Sequence, residues 1–196
     1  MKHLIANTLL ALAATSIPCA AQISGGNPAV SAPNTDSYYN FTIVDQNNPI
    51  SGTGDLNYWQ VYASTSGEVQ LLIVQPSTND IVAESTVESV VPGLNTFTLS
   101  TPISGVAGDY VGFWEGPNNS SVEFSFTGGT IDYTNDNSGS PTSPLTFAGT
   151  SNRTYSIFVS SPEGGTGFEY LLFAGAACLG AAAFTSHKRK TSASNA

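Results

Sequence analysis

Between positions 22 and 161 the side chains that could do chemistry are twelve carboxylates and little else. The same stretch holds no His, no Lys and no Cys. Ser–His–Asp and Cys–His catalysis need an imidazole base, and Schiff-base chemistry needs a lysine amine. A zinc site of the usual kind needs His or Cys. A glycosidase needs only two carboxyl groups about 5–9 Å apart, but twelve acids supply such pairs by chance. Carboxylates on a β surface are ordinarily solvated and inert. No catalytic residue is therefore assigned, and the segment is not expected to be an enzyme.

Two constellations remain. Asp132, Asn135, Asp136 and Asn137 cluster just before Gly139. Hard cations take oxygen ligands from such residues, which makes Asp132 and Asp136 weak calcium candidates. An Asx-rich turn produces the same composition, so no cofactor is assigned. Tyr58, Trp59, Tyr62 and Trp114 could offer rings for sugar stacking, since amphipathic rings suit that task. On a strand Trp59 points away from Tyr58 and Tyr62. Trp59 is expected in the core, which leaves Tyr58 and Tyr62 as the ligand-facing candidates.

Arg153 is the one basic residue in the stretch, so its formal charge is −11. Nucleic-acid binding needs a basic footprint and is excluded. Anionic membrane surfaces and acidic polysaccharides are disfavoured as direct partners unless cations bridge them. A charge of this size favours solubility outside the cell.

The elements that must position these residues read as strands. Residues 38–44, 56–63, 68–75, 81–87, 95–99, 109–114, 122–126 and 153–159 are β-branched and aromatic, with partial period-two alternation between turn clusters. Val122, Phe124 and Phe126 alternate with Glu123 and Ser125 as in a half-buried strand. No window shows helical periodicity. The expected fold class is all-β, a single antiparallel β-sandwich or jelly-roll-like domain over 38–161. Residues 22–37, rich in Gly, Pro, Ser and Asn, read as a flexible lead-in, and 132–144 as the longest polar loop.

Both ends read as addresses. Lys2 and His3 precede an apolar run to Ile17, then Pro18 and the small residues Cys19-Ala20-Ala21. This is the order of a secretory signal helix over 1–21, cut after Ala21. At the other end an apolar stretch carries Tyr170, Leu171, Leu172, Phe173, Leu179 and Phe184, followed by Lys188, Arg189 and Lys190. Counted from Phe168 it reaches the lower limit of about 17 residues for a transmembrane helix. The basic cluster would hold the C-terminus in the cytoplasm, with Tyr170 at the outer interface.

Pro162-Glu163-Gly164-Gly165, the apolar helix and the basic cluster, in that order, resemble the tripartite PEP-CTERM sorting signal of bacterial exported proteins. Gly164 stands where the usual motif has its second proline, as in Pro-Glu-Gly-Gly variants. The resemblance covers residues 162–196 only. It implies an exosortase-like membrane processing enzyme as partner, with cleavage near Pro162-Glu163. The expectation is a non-enzymatic surface or extracellular-matrix protein, membrane-anchored or sorted by this tail. The alternative is a carbohydrate-binding module with a glycan ligand, displayed on the same tail and calcium-assisted if Asp132 and Asp136 ligate.

Overall fold

Fourteen strands, the longer of them runs rich in β-branched and aromatic residues, form in a computed structural model that describes residues 22–118, 121–135 and 137–161. In chain order they are β1 (Ser24–Gly26), β2 (Asn34–Thr35), β3 (Phe41–Asp45), β4 (Gly54–Ala63), β5 (Gly67–Gln75), β6 (Asp80–Glu84) and β7 (Glu88–Val90). Then come β8 (Gly93–Gly105), β9 (Tyr110–Glu115), β10 (Glu123–Ser125), β11 (Ile131–Tyr133), β12 (Gly149–Ser151), β13 (Thr154–Tyr155) and β14 (Ile157–Ser160). No helix occurs among the described residues. The segments expected as a signal helix and a sorting tail lie outside them.

Every strand pair is antiparallel. One sheet runs β1-β14-β4-β8, a small one β13-β10-β2, and the largest β12-β11-β3-β9-β5-β6, with β7 also on β5. The fold is thus all-β and β-sandwich-like. One core cluster takes side chains from both larger sheets: Leu56, Trp59 and Val61 on β4, Ile157 and Val159 on β14, Val69, Leu71 and Ile73 on β5, and Val111 and Phe113 on β9.

A register shift sets the facing of β4. Strict alternation would put Leu56 and Trp59 on opposite faces. The register against β8 shifts between Leu56, opposite Ile103, and Tyr58, opposite Thr98, and across this irregularity both Leu56 and Trp59 turn inward. Trp59 is fully buried and packs on Phe97 with ring centroids 4.6 Å apart. Tyr58 and Tyr62 then share the outer face with Gln60, all half-buried, beside Thr96 and Thr98 of β8.

The largest sheet is covered on both sides. Val44, Leu72, Val74 and Trp114 on its outer face pack against Leu145, with Phe147 beside them. This explains the unbroken apolar run Leu71-Leu72-Ile73-Val74 of β5, which a one-sided strand would not show. Trp114 is accordingly buried, at 6% exposure, rather than displayed.

Residues 22–37 differ from the flexible lead-in expected. β1 pairs with β14, and β2 pairs with β10. A Gly- and Pro-rich composition weakens local strand propensity, but pairing partners far along the chain supply the order that local sequence lacks.

Candidate functional site

The buried polar groups fall into two clusters that tie the first paired segment to the rest of the domain. In the first, Asp45 at the end of β3 is fully buried. Its Oδ2 accepts from Asn27 Nδ2 at 2.5 Å, and its Oδ1 accepts from the Asn47 backbone N–H at 2.8 Å and from Asn47 Nδ2 at 2.6 Å. Asn27 Nδ2 also donates to the Tyr155 carbonyl at 3.0 Å, and Asn48 Nδ2 donates to Asn27 Oδ1 at 2.6 Å. Burial pushes the Asp45 carboxyl above its ordinary range, against the opposing hydrogen bonds. The sign follows: a raised folded-state value costs stability at neutral pH, and that cost vanishes as pH falls below the usual carboxylate range.

The second cluster joins Asp36, Arg153 and Tyr155. Arg153 Nη1 donates to Asp36 and, at 2.9 Å, to the Tyr155 hydroxyl, which in turn donates to Asp36. The guanidinium lies over Phe124 at 4.5 Å from the ring centroid, with Phe126 at 5.9 Å. Asp36 sits beside Thr35 of β2, and Tyr155 ends β13, so the small sheet aligns the three. The one cation of the domain is therefore spent on an internal ion pair and stacked on an aromatic face.

Burial, reinforced by the neighbouring Asp36 carboxylate, pushes the Tyr155 phenol well above its ordinary value. Above about pH 10 the unfolded chain gives up this proton while the folded domain keeps it, so stability falls as pH rises beyond that point. The urea midpoint is expected to drop between about pH 9 and 11, and the drop to shrink in Tyr155→Phe. An equal drop in both proteins would place the alkaline loss elsewhere.

The remaining buried acids are committed to structure. Glu115, fully buried on β9, accepts backbone N–H bonds from Ser121 at 3.2 Å and Val122 at 2.8 Å. Glu123 on β10 accepts from the Ala32 N–H at 2.5 Å and from Ser31 Oγ at 3.1 Å. Asp109 accepts from the Val106 N–H at 3.1 Å.

A depression of about 410 Å³ opens beside Arg153. Phe41 on β3, Tyr133 at the end of β11, and Thr150 and Ser151 on the edge strand β12 build its walls, and Tyr38 stands at its rim. Tyr38 is 52% exposed and meets the buried Phe41 ring edge-on, with centroids 6.4 Å apart. A Cβ at Gly149 would come within 2.8 Å of the Tyr133 hydroxyl oxygen, so a larger residue there would have to displace that side chain. A second depression of about 220 Å³ adjoins it and shares Thr134 and Asn135 as lining.

The residues singled out in the sequence are not brought together. Tyr58 and Tyr62 lie on the outer face of the four-stranded sheet, and neither lines a depression beside Arg153. Asp132 on β11 accepts from Gln46 Nε2, and burial raises its pKa against that hydrogen bond. Asp136 lies outside the described residues, as do the sorting motif, the apolar anchor and the basic cluster. Among the described residues no three His, Cys, Asp or Glu side chains gather as a metal site. Sequence reading missed Asp36 and Tyr38, which it placed in the lead-in or on a strand, and Tyr133, Thr150 and Ser151. The signal to be had was Arg153 itself, a lone cation among twelve acids that required a partner.

No protein-family model, curated protein or solved structure matches this chain.

Proposed function

We propose that the chain is a non-enzymatic exported protein, one antiparallel β-sandwich module presented at the cell surface or in the extracellular matrix. The signal helix over 1–21 directs export. The tail over 162–196 anchors the protein in the membrane until an exosortase-like enzyme acts near Pro162-Glu163. One observation carries the non-enzymatic part: Asp36, Asp45, Asp109, Glu115 and Glu123, the carboxylates with the most buried side chains, all accept structural hydrogen bonds. A general acid or base must be able to reach a substrate proton, and these groups face the protein's own backbone and side chains. With no His, Lys or Cys in 22–161, the segment also has no imidazole, amine or thiol to serve as base or nucleophile. The ordered signal, motif, apolar segment and basic cluster support export and sorting.

Fractionation of the native host, with an antibody to residues 22–161, tests this. Wild type is expected outside the cytoplasm and open to protease added to intact cells. A chain deleted for 162–196 is expected in the medium or periplasm. Wild type recovered in the cytosol would contradict the reading.

A further inference from the structure

We propose that the depression of about 410 Å³ beside Arg153 is a site for an uncharged oligosaccharide. This builds on the non-enzymatic reading by giving the module a ligand, and three observations carry it. The first is shape: of the two hollows, of about 410 and 220 Å³, the larger holds the site, because its Phe41 and Tyr133 face the inner core whereas the smaller is lined by Thr42 and Leu145 on the outer face of the same sheet. The larger alone falls within the range of small-molecule sites, about 300–1,000 Å³.

The second is chemistry. The larger hollow presents the rings of Tyr38 and Tyr133, which suit the C–H faces of a sugar ring. Around them stand the Asn135 amide and the Thr150 and Ser151 hydroxyls, which make no hydrogen bond to other described residues. Hydroxyls and amides both donate and accept, as sugar hydroxyls require.

The third is charge. Among the described residues lining the larger hollow, every one is neutral except Arg153. Arg153 is already neutralised by Asp36, within a segment of formal charge −11. An anionic glycan would meet repulsion with no free cation to offset it, and a cationic one would find no carboxylate among the described lining residues. A neutral polyhydroxyl chain meets neither penalty.

The test is isothermal titration of the full chain in detergent with cellotetraose, mannotetraose, xylotetraose, maltotetraose and laminaritetraose, and with tetragalacturonate as the anionic counterpart. Binding to at least one neutral tetrasaccharide is expected, with little or none to tetragalacturonate. Tyr38→Ala is expected to weaken that binding roughly three- to tenfold, the scale of one aromatic contact. Tyr38 is largely exposed, so its loss should leave folding intact, and circular dichroism with a melting curve checks this. Asn135→Ala is expected to weaken binding in parallel. Tyr58→Ala and Tyr62→Ala are expected to leave it unchanged. No binding to any neutral member, preference for tetragalacturonate, or binding lost in Tyr58→Ala but kept in Tyr38→Ala would each overturn the proposal. Failure here leaves the location measured by fractionation untouched, so the two readings fail separately.

Discussion

Replacing Asp36 with Ala is expected to lower the unfolding free energy by about 3 kcal/mol, toward the low end for breaking a buried ion pair. The Asp36 side chain is 3% exposed, and it accepts from both Arg153 and the Tyr155 hydroxyl. Its removal leaves a stacked guanidinium and a buried phenol without their acceptor, and unpaired buried groups cost more than the bond itself gained. The Arg153 side chain keeps 21% exposure, so water recovers part of the loss, which is why the upper end of the range does not apply. The substitution also removes one of the ties that hold the segment carrying β2, which keeps its pairing with β10. Arg153→Met added to Asp36→Ala should recover part of the stability, because it removes the orphaned charge. Urea unfolding of the single and double variants measures both effects. A loss below about 1 kcal/mol for Asp36→Ala would mean that the pair behaves as a surface salt bridge.

Trp59→Ala is expected to cost about 3–5 kcal/mol, the range for emptying an aromatic site in a packed core. Trp59 has no exposed surface and touches Phe97 across the β4–β8 pair. Its neighbours Tyr58 and Tyr62 face the other way, and their substitution by Ala should cost about 1 kcal/mol or less. Because all three lie close together on one strand, the contrast tests the facing of β4 at Trp59 directly. If Tyr58→Ala proved the more damaging, the inward register of β4 would be wrong. Thermal melts of the three variants, compared at one pH, decide it.

The strands that sequence made legible are those with long apolar or alternating runs. β4, β5, β9 and β14 announce themselves because each buries at least one full face. β1, β2, β11 and β12 did not, because each has two or three residues and leans on pairing partners rather than on its own composition. Tertiary pairing overrode weak local propensity in all four. The inward facing of Trp59 was legible from its size, but the register shift between Leu56 and Tyr58 that lets Leu56 face inward as well was not. The candidate site was the least legible part. Its residues come from the segment before β3, from β11, from the residues after it and from β12, far apart along the chain. Sequence spacing carries no trace of such an assembly. Tyr58 and Tyr62 stood out only because they are close in sequence to each other and to a tryptophan.

On the proposed reading the mature protein is a β-sandwich module exported and then separated from its address signals. Intact mass spectrometry of the protein recovered from its native host tests this most directly. The expected mass is that of a chain beginning at Gln22 and ending near Pro162-Glu163, recovered outside the inner membrane. A mass that includes residues 1–21, or one that keeps the full tail on protein at its final location, would contradict it.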